Sequence, residues 1–212
     1  MLIDLPGHGK SDKPKVEYTM ELFARGVEAA LADAGVEKAV LAGHSMGTPV
    51  VRQYYRNHPT KTQALIAVDG ALKNLIKDPA DIDKIAKLYE GDFKANVSKF
   101  VDTMFAKGTP PELKERIRTA MQGAAPHVAV SALRNMFDPK NWKDDKIEVP
   151  LQLVLAKTPF WNDEYQAYVK TLNPDADWQM IEGVGHFLML EAPKEFNERL
   201  LTFLRAKGFV SP

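Results

Sequence analysis

Short apolar runs alternate with helical patterns along most of this chain. The apolar runs span residues 2–5, 38–43, 64–69, 150–156 and 177–182. The amphipathic patterns between and after them span residues 20–34, 48–57, 163–172 and 194–206. Several of the apolar runs are continuous rather than alternating with polar residues, as expected for strands that are covered on both faces. This order predicts a three-layer α/β fold around a parallel sheet of about five strands.

Residues 71–148 interrupt the alternation, because only helices are predicted there. Their spans are residues 81–89, 93–106, 111–122 and 128–137. We therefore predict a core formed by residues 1–70 and 149–212, with residues 71–148 inserted as a helical lid. We expect most large apolar residues of this lid to form its own core and a minority to line an acyl pocket. The candidates are Tyr89, Phe93, Phe100, Met104, Phe105, Met121, Met136, Phe137 and Trp142, with Phe160 and Trp161 opposite them.

Composition restricts the partners and the chemistry. The 212 residues are 45% hydrophobic and 26% charged, with a formal net charge of +0. A chain with this charge balance has no basic surface for nucleic acid or for an anionic membrane, so we expect neither as a partner. Cysteine is absent, so a nucleophile would have to be oxygen-based. No signal peptide is legible at the amino terminus, and a cytoplasmic location is the expectation.

The segment Gly43-His44-Ser45-Met46-Gly47 carries the strongest chemical signal. It has the form G-x-S-x-G, and it lies between a predicted buried strand and a predicted helix, which is the context of a nucleophile elbow. We expect Ser45 to adopt strained backbone angles in a turn that leaves no room for side chains at either glycine. The backbone N–H of Met46 would then point at the oxyanion of a tetrahedral intermediate.

A serine nucleophile needs a base, and histidine has a suitable pKa. Among five histidines, His186 lies in the loop Gly183-Val184-Gly185-His186-Phe187, between the last predicted strand and the last helix. The carboxyl ends of parallel strands meet at one edge of the sheet, where Ser45 is also expected. We therefore predict His186 as the general base.

These motifs resemble those of a known superfamily. The segment LIDLPGHGKSD at residues 2–12, the elbow GHSMG and the loop GVGHF are similar to those of lidded α/β-hydrolases, in the branch of esterases, lactonases and haloalkane dehalogenases. The likeness covers essentially the whole chain and implies the α/β-hydrolase fold, with the substrate left open. Dehalogenases and epoxide hydrolases of this superfamily have an aspartate nucleophile, so Ser45 favours ester cleavage.

The triad acid departs from the usual pattern of the superfamily. The resemblance implies a Gly-x-x-Asp segment after the strand at 150–156, but residues 156–161 contain no carboxylate, and the next one is Asp163. Some haloalkane dehalogenases instead carry the acid at the end of the strand that follows the elbow helix. Asp69 occupies that place here. We predict Asp69 as the acid, with Asp163, or neither residue, as the alternatives.

The amino terminus also departs from the pattern. In this superfamily the segment resembling residues 2–12 belongs to the fourth strand, and another segment supplies a second oxyanion amide. The chain thus resembles a hydrolase without its amino-terminal third, and its strand at 38–43 would either pair with residues 2–5 or form an open edge. We expect a homodimer or higher oligomer to cover that edge, with a partner group or a local side chain replacing the amide.

These inferences predict a serine hydrolase acting on small to medium carboxylic esters. Ser45 would attack, His186 would transfer the proton, Asp69 would orient His186, and Met46 would supply the oxyanion amide. No cofactor or metal is implied. The alternatives are a lactonase or carbon–carbon bond hydrolase with the same triad, or a hydrolase-like binding protein with very slow turnover.

Overall fold

A parallel sheet of four strands forms the centre of the molecule. In a computed structural model, which describes residues 1–76, 78–87, 89 and 91–211, the strand order is β1-β2-β3-β4 and every neighbouring pair is parallel. The strands are β1 (Ala39–His44), β2 (Thr62–Val68), β3 (Leu151–Ala156) and β4 (Asp177–Ile181). The parallel sheet expected from the sequence is therefore confirmed, and these four strands match the predicted ones closely.

The prediction of a fifth strand at residues 2–5 is wrong. Those residues form no strand, and β1 pairs with β2 alone among the described residues. The main-chain oxygens of this segment serve a compact turn instead: Asp4 accepts a hydrogen bond from the Ser11 hydroxyl, and Leu5 accepts one from the His8 N–H. Without a neighbouring strand to bond, local turn contacts determine the conformation.

Helices cover both faces of the sheet, as the continuous apolar strands predict. Along β2, Leu65 and Ala67 pack into one core cluster, whereas Ala64 and Ile66 pack into the other. The four covering helices agree with their predictions to within one residue at each end. They are α1 (Met20–Asp33), α2 (Gly47–Asn57), α7 (Asp163–Leu172) and α9 (Pro193–Ala206). The short helix α8 (Leu188–Glu191) precedes α9.

In the described residues between β2 and β3 there are four α-helices. They are α3 (Pro79–Lys87), α4 (Phe93–Asp102), α5 (Pro111–Gln122) and α6 (Pro126–Met136). The predicted helix over residues 93–106 is four residues too long, because Thr103 caps α4. Just beyond this cap, the Met104 carbonyl accepts a hydrogen bond from the His186 N–H. A tertiary contact therefore holds the chain directly after the end of this helix. Residues 88 and 90, near the predicted end of α3, lie outside the described residues.

None of the helices in the described part of the chain is long and apolar enough to cross a membrane.

Candidate active site

Ser45 lies in a sharp turn between β1 and α2. Its φ of 53° falls in the left-handed region, which non-glycine residues rarely adopt. The Ser45 N–H donates to the Val68 carbonyl at 3.0 Å, and the Ser45 carbonyl accepts from the Thr48 N–H at 2.9 Å. The strained conformation expected for an elbow serine is therefore present and is held by backbone hydrogen bonds on both sides.

The two glycines of the elbow differ in their surroundings. A Cβ on Gly43 would collide with the backbone of Gly47, so this position requires glycine. A Cβ on Gly47 would meet no atom within 4 Å. The expectation that both glycines are needed for space is therefore correct at Gly43 and wrong at Gly47, because the crowding is confined to the strand side of the turn.

The Met46 amide lies at the amino terminus of α2. Met46 is the residue before the first helical position, with φ of −54° and ψ of −27°. Within the described residues its N–H donates to no protein acceptor. A free N–H at a helix amino terminus, next to a strained serine, is the arrangement that can stabilise an oxyanion.

Asp69 and His186 are joined by a short hydrogen bond. The Nδ1 of His186 lies 2.6 Å from Oδ2 of Asp69, and the Asp69 residue is only 8% exposed. The other carboxylate oxygen, Oδ1, accepts from the Ala156 N–H and from the Trp161 indole N–H, each at 2.9 Å. A carboxylate held by three donors fixes the orientation of the imidazole and leaves Nε2 as its free nitrogen.

Backbone strain also distinguishes Asp69. Its φ is 41°, and Ser45 and Asp69 are the only non-glycine positions with positive φ among the described residues. Such conformations cost free energy and occur preferentially at functional sites. Both strained positions coincide with residues predicted for catalysis from the sequence.

Asp163 lies apart from this arrangement. It is the first residue of α7, its side chain is exposed, and it forms no hydrogen bond with His186 within the described residues. The geometry therefore favours Asp69 over Asp163 as the partner of His186.

His44 holds the backbone of His186. Its Nε2 lies 2.8 Å from the His186 carbonyl oxygen, and the two rings lie 4.5 Å apart. Burial, with the nearby charge of His186, lowers the pKa of His44 to about 4. His44 is therefore neutral near pH 7, with its proton on Nε2, because a carbonyl oxygen can only accept.

A cavity of about 490 Å³ brings the predicted catalytic residues together. Ser45, Asp69 and His186 line it, although Ser45 makes no side-chain hydrogen bond to His186 in the part of the chain that the structure describes. Such contacts are often long in the free enzyme and tighten when substrate binds. The large apolar residues of the lining are Leu75, Phe100, Met104, Met136, Phe137, Trp142, Phe160 and Trp161.

This lining only partly agrees with the expectation from sequence. Five of the nine apolar candidates between β2 and β3 line the cavity, which is more than the predicted minority. The other four pack in a separate cluster with Phe187: Tyr89, Phe93, Phe105 and Met121. Helical periodicity identifies buried faces but does not show which neighbour covers them.

Two polar contacts of the site were not predicted from the sequence. Trp161 was expected only as an apolar residue, and His44 only as part of the elbow. A carboxylate buried at Asp69 requires several donors, and an indole N–H in the segment after β3, where the usual acid is missing, is one available donor. No comparable sequence signal connects His44 with the His186 carbonyl.

No cluster of three or more potential metal ligands occurs among the residues that the structure describes.

The sequence and the fold match known proteins. A model described as the alpha/beta hydrolase family matches residues 1–199. AB hydrolase superfamily protein YisY of Bacillus subtilis is 30% identical over 122 residues, which are 53% of this chain. The match covers 46% of that relative, so the chain spans about half of its length.

Two longer matches cover nearly all of the chain. The 2-hydroxy-6-oxononadienedioate/2-hydroxy-6-oxononatrienedioate hydrolase of Paraburkholderia phymatum is 24% identical and covers 96% of this chain and 75% of that protein. A solved thermophilic esterase from Thermogutta terrifontis is 21% identical with a TM-score of 0.85, and covers 96% of this chain and 78% of that one. At such identity the structural likeness shows the fold alone.

Proposed function

Because the chain belongs to the alpha/beta hydrolase family, we propose that it hydrolyses small to medium carboxylic esters through a serine nucleophile. The contact that supports this most strongly is the 2.6 Å hydrogen bond between His186 and Asp69 beside the strained Ser45. The cavity next to these residues is mostly apolar, which suits an acyl group. The name of the Thermogutta relative, an esterase, agrees with this substrate class.

In the proposed mechanism, Ser45 Oγ attacks the ester carbonyl carbon while Nε2 of His186 takes its proton. Asp69 stabilises the imidazolium that forms, and the Met46 N–H donates to the oxyanion. Collapse of the tetrahedral intermediate expels the alcohol, which receives the proton from His186. Water then attacks the acyl-enzyme with His186 again as base, and the carboxylic acid leaves.

The same residues could open a lactone or cleave a carbon–carbon bond next to a carbonyl. The name of the Paraburkholderia relative, a 2-hydroxy-6-oxononadienedioate/2-hydroxy-6-oxononatrienedioate hydrolase, favours testing this alternative. Rates with p-nitrophenyl esters, with lactones and with carbon–carbon bond substrates separate the activities. Highest kcat/KM on the esters supports the proposal, and highest kcat/KM on another class replaces it.

The mechanism is tested by three substitutions. Ser45→Ala and His186→Ala should each abolish ester hydrolysis and labelling by a fluorophosphonate without unfolding the chain. Asp69→Asn should lower kcat by roughly four decades, because the histidine then loses its orienting carboxylate. Asp163→Asn is the matched control and should stay within about twofold of the parent, as surface changes usually do.

Several results would contradict this mechanism. Retention of more than a few per cent of the activity in Ser45→Ala would exclude the serine mechanism. A larger loss in Asp163→Asn than in Asp69→Asn would assign the acid to Asp163. A parent chain that does not react with the fluorophosphonate would instead favour a hydrolase-like binding protein.

A further inference from the structure

Glu191 joins two segments of the chain that are far apart in sequence. It is the last residue of α8, and its Oε2 accepts hydrogen bonds from the Gly185 N–H at 3.1 Å and from the Thr109 hydroxyl at 2.6 Å. The Ala106 N–H also points to this oxygen, at 3.4 Å. One carboxylate oxygen therefore ties the loop that carries His186 to the connection between α4 and α5 (residues 103–110).

The backbones of the two segments also touch directly. The His186 N–H donates to the Met104 carbonyl at 2.8 Å. A Cβ on Gly185 would collide with the backbone of Met104 and Ala106, so glycine is required for this approach. Gly185 is therefore a contact point between the histidine loop and the α4–α5 connection.

The histidine loop needs such external support. Residues 182–187 contain no helix or strand, and Gly183 has a φ of 72°. A loop with two glycines has many accessible backbone conformations, and hydrogen bonds to other segments reduce that freedom. The Glu191 carboxylate bonds the N–H of Gly185, which is one residue before the predicted base. The other oxygen of the Glu191 carboxylate, Oε1, is buried without a hydrogen-bond partner among the described residues. The hydrogen bonds of this carboxylate are therefore made by Oε2.

We propose that Glu191 is a positioning residue for the hydrolytic reaction. By holding Gly185 against the α4–α5 connection, it keeps the imidazole of His186 in line between Asp69 and Ser45. The α4–α5 connection is then a fixed support of the catalytic base as well as part of the substrate cavity, which Thr103 and Met104 line. This proposal rests on the proposed serine mechanism, since it concerns the geometry of its base.

The first test compares Glu191→Ala with Glu191→Gln. Because displacement of a catalytic group by about 1 Å can cost on the order of a hundredfold in rate, Glu191→Ala should lower kcat by about 10- to 100-fold with KM within about threefold. Glu191→Gln retains an oxygen acceptor and should recover most of that loss. Glu195→Ala is the matched control, because this carboxylate bonds Arg199 of its own helix, and its kcat should match the parent.

The second test isolates the link to the α4–α5 connection and applies even if Glu191→Ala fails to fold. Thr109→Val removes the hydroxyl donor at nearly constant volume and should lower kcat by about three- to tenfold, because only part of the free energy of a hydrogen bond to a charged group is expressed in the position of His186. Thr109→Ser keeps the donor and should have a higher kcat than Thr109→Val. Each kcat is measured below the onset of unfolding for that variant.

The outcomes separate this proposal from the proposed function. Parent-like kcat in folded Thr109→Val and Glu191→Ala, with a parent that reacts with fluorophosphonate at Ser45, overturns the positioning role alone. An equal loss in Glu191→Gln and Glu191→Ala also overturns it, because charge rather than the acceptor would then matter. A parent that neither reacts at Ser45 nor hydrolyses esters overturns the proposed function itself.

Discussion

At the scale of single residues, Trp161 completes the hydrogen bonds of the proposed acid. Its indole N–H and the Ala156 N–H both donate to Oδ1 of Asp69, while His186 engages Oδ2. Trp161 is 6% exposed, so water does not easily replace its indole N–H as a donor to Asp69. A tryptophan that lines the cavity thus also holds the carboxylate of the proposed acid.

We expect Trp161→Phe to lower kcat about tenfold, because a hydrogen bond to a charged group contributes on the order of 1.5–3 kcal/mol and part of it orients Asp69. Trp142→Phe is the matched control: Trp142 lines the same cavity, but its indole N–H donates to the Met136 carbonyl. Steady-state kinetics with one ester measures both variants. Equal effects of the two substitutions would show that cavity shape, rather than the hydrogen bond to Asp69, sets the rate.

At the scale of elements, an ion-pair cluster connects the elbow helix α2 to the chain just before β3. Arg52 is only 2% exposed, and its charge is met by Asp145 Oδ1 at 3.1 Å. Arg56 also pairs with Asp145, at 2.8 Å. Nε and Nη1 of Arg52 have no partner among the described residues. These ion pairs attach the chain around Asp145, which lies between α6 and β3, to α2, the helix that begins next to Ser45.

We expect Asp145→Ala to lower the free energy of unfolding by about 3 kcal/mol, because it leaves the buried charge of Arg52 without its counter-ion. Asp144→Ala, which removes a carboxylate bonded to the hydroxyl of Tyr168, is the control and should cost much less. Urea unfolding at pH 7 measures both. Similar losses would show that Arg52 needs no counter-ion here.

The same carboxylate predicts a dependence of stability on pH. Burial by itself would raise the pKa of Asp145, but the hydrogen bond from Arg56 and the charge of Arg52 lower it to about 2, below its ordinary value of 3.8. The unfolded chain then binds more protons than the native chain between these values, so this stabilisation is present above pH 4 and is lost as the pH falls towards 2. The fall should be shallower in Asp145→Ala.

At the scale of the whole molecule, β1 forms an edge of the sheet, since it pairs with β2 alone in the described part of the chain. Ala42 in this strand is exposed, as are Met1 and Leu2. An open edge strand has unpaired N–H and C=O groups that can bond another chain. We propose that the 212-residue chain associates with a second copy through this edge.

Light scattering at micromolar concentration should therefore give a dimer or larger species. Ala42→Lys should shift the chain towards monomer, because a lysine on an edge strand opposes pairing. Asn57→Lys adds the same charge at the end of α2, outside the sheet, and is the control. A stable and active parent monomer would contradict the proposed association.

The sequence by itself determined the order of elements and the chemistry of the elbow. Short apolar runs, three of them continuous, predict four strands within two residues of their observed ends, and helical periodicity predicts α1, α2, α7 and α9. The segment around Ser45 also predicts its strained conformation. These features could be predicted because they depend on residues that are close together in the chain.

The tertiary structure alone decided the features that depend on distant residues. It selected the predicted Asp69 over the alternative Asp163 as the partner of His186, and it added a donor from Trp161 to the same carboxylate. Likewise, it placed Met104, just after α4, against His186, and it left residues 2–5 without a strand partner among the described residues. Each outcome depends on which segments meet in space, because a buried carboxylate takes whichever donors surround it and a strand forms only beside a neighbour.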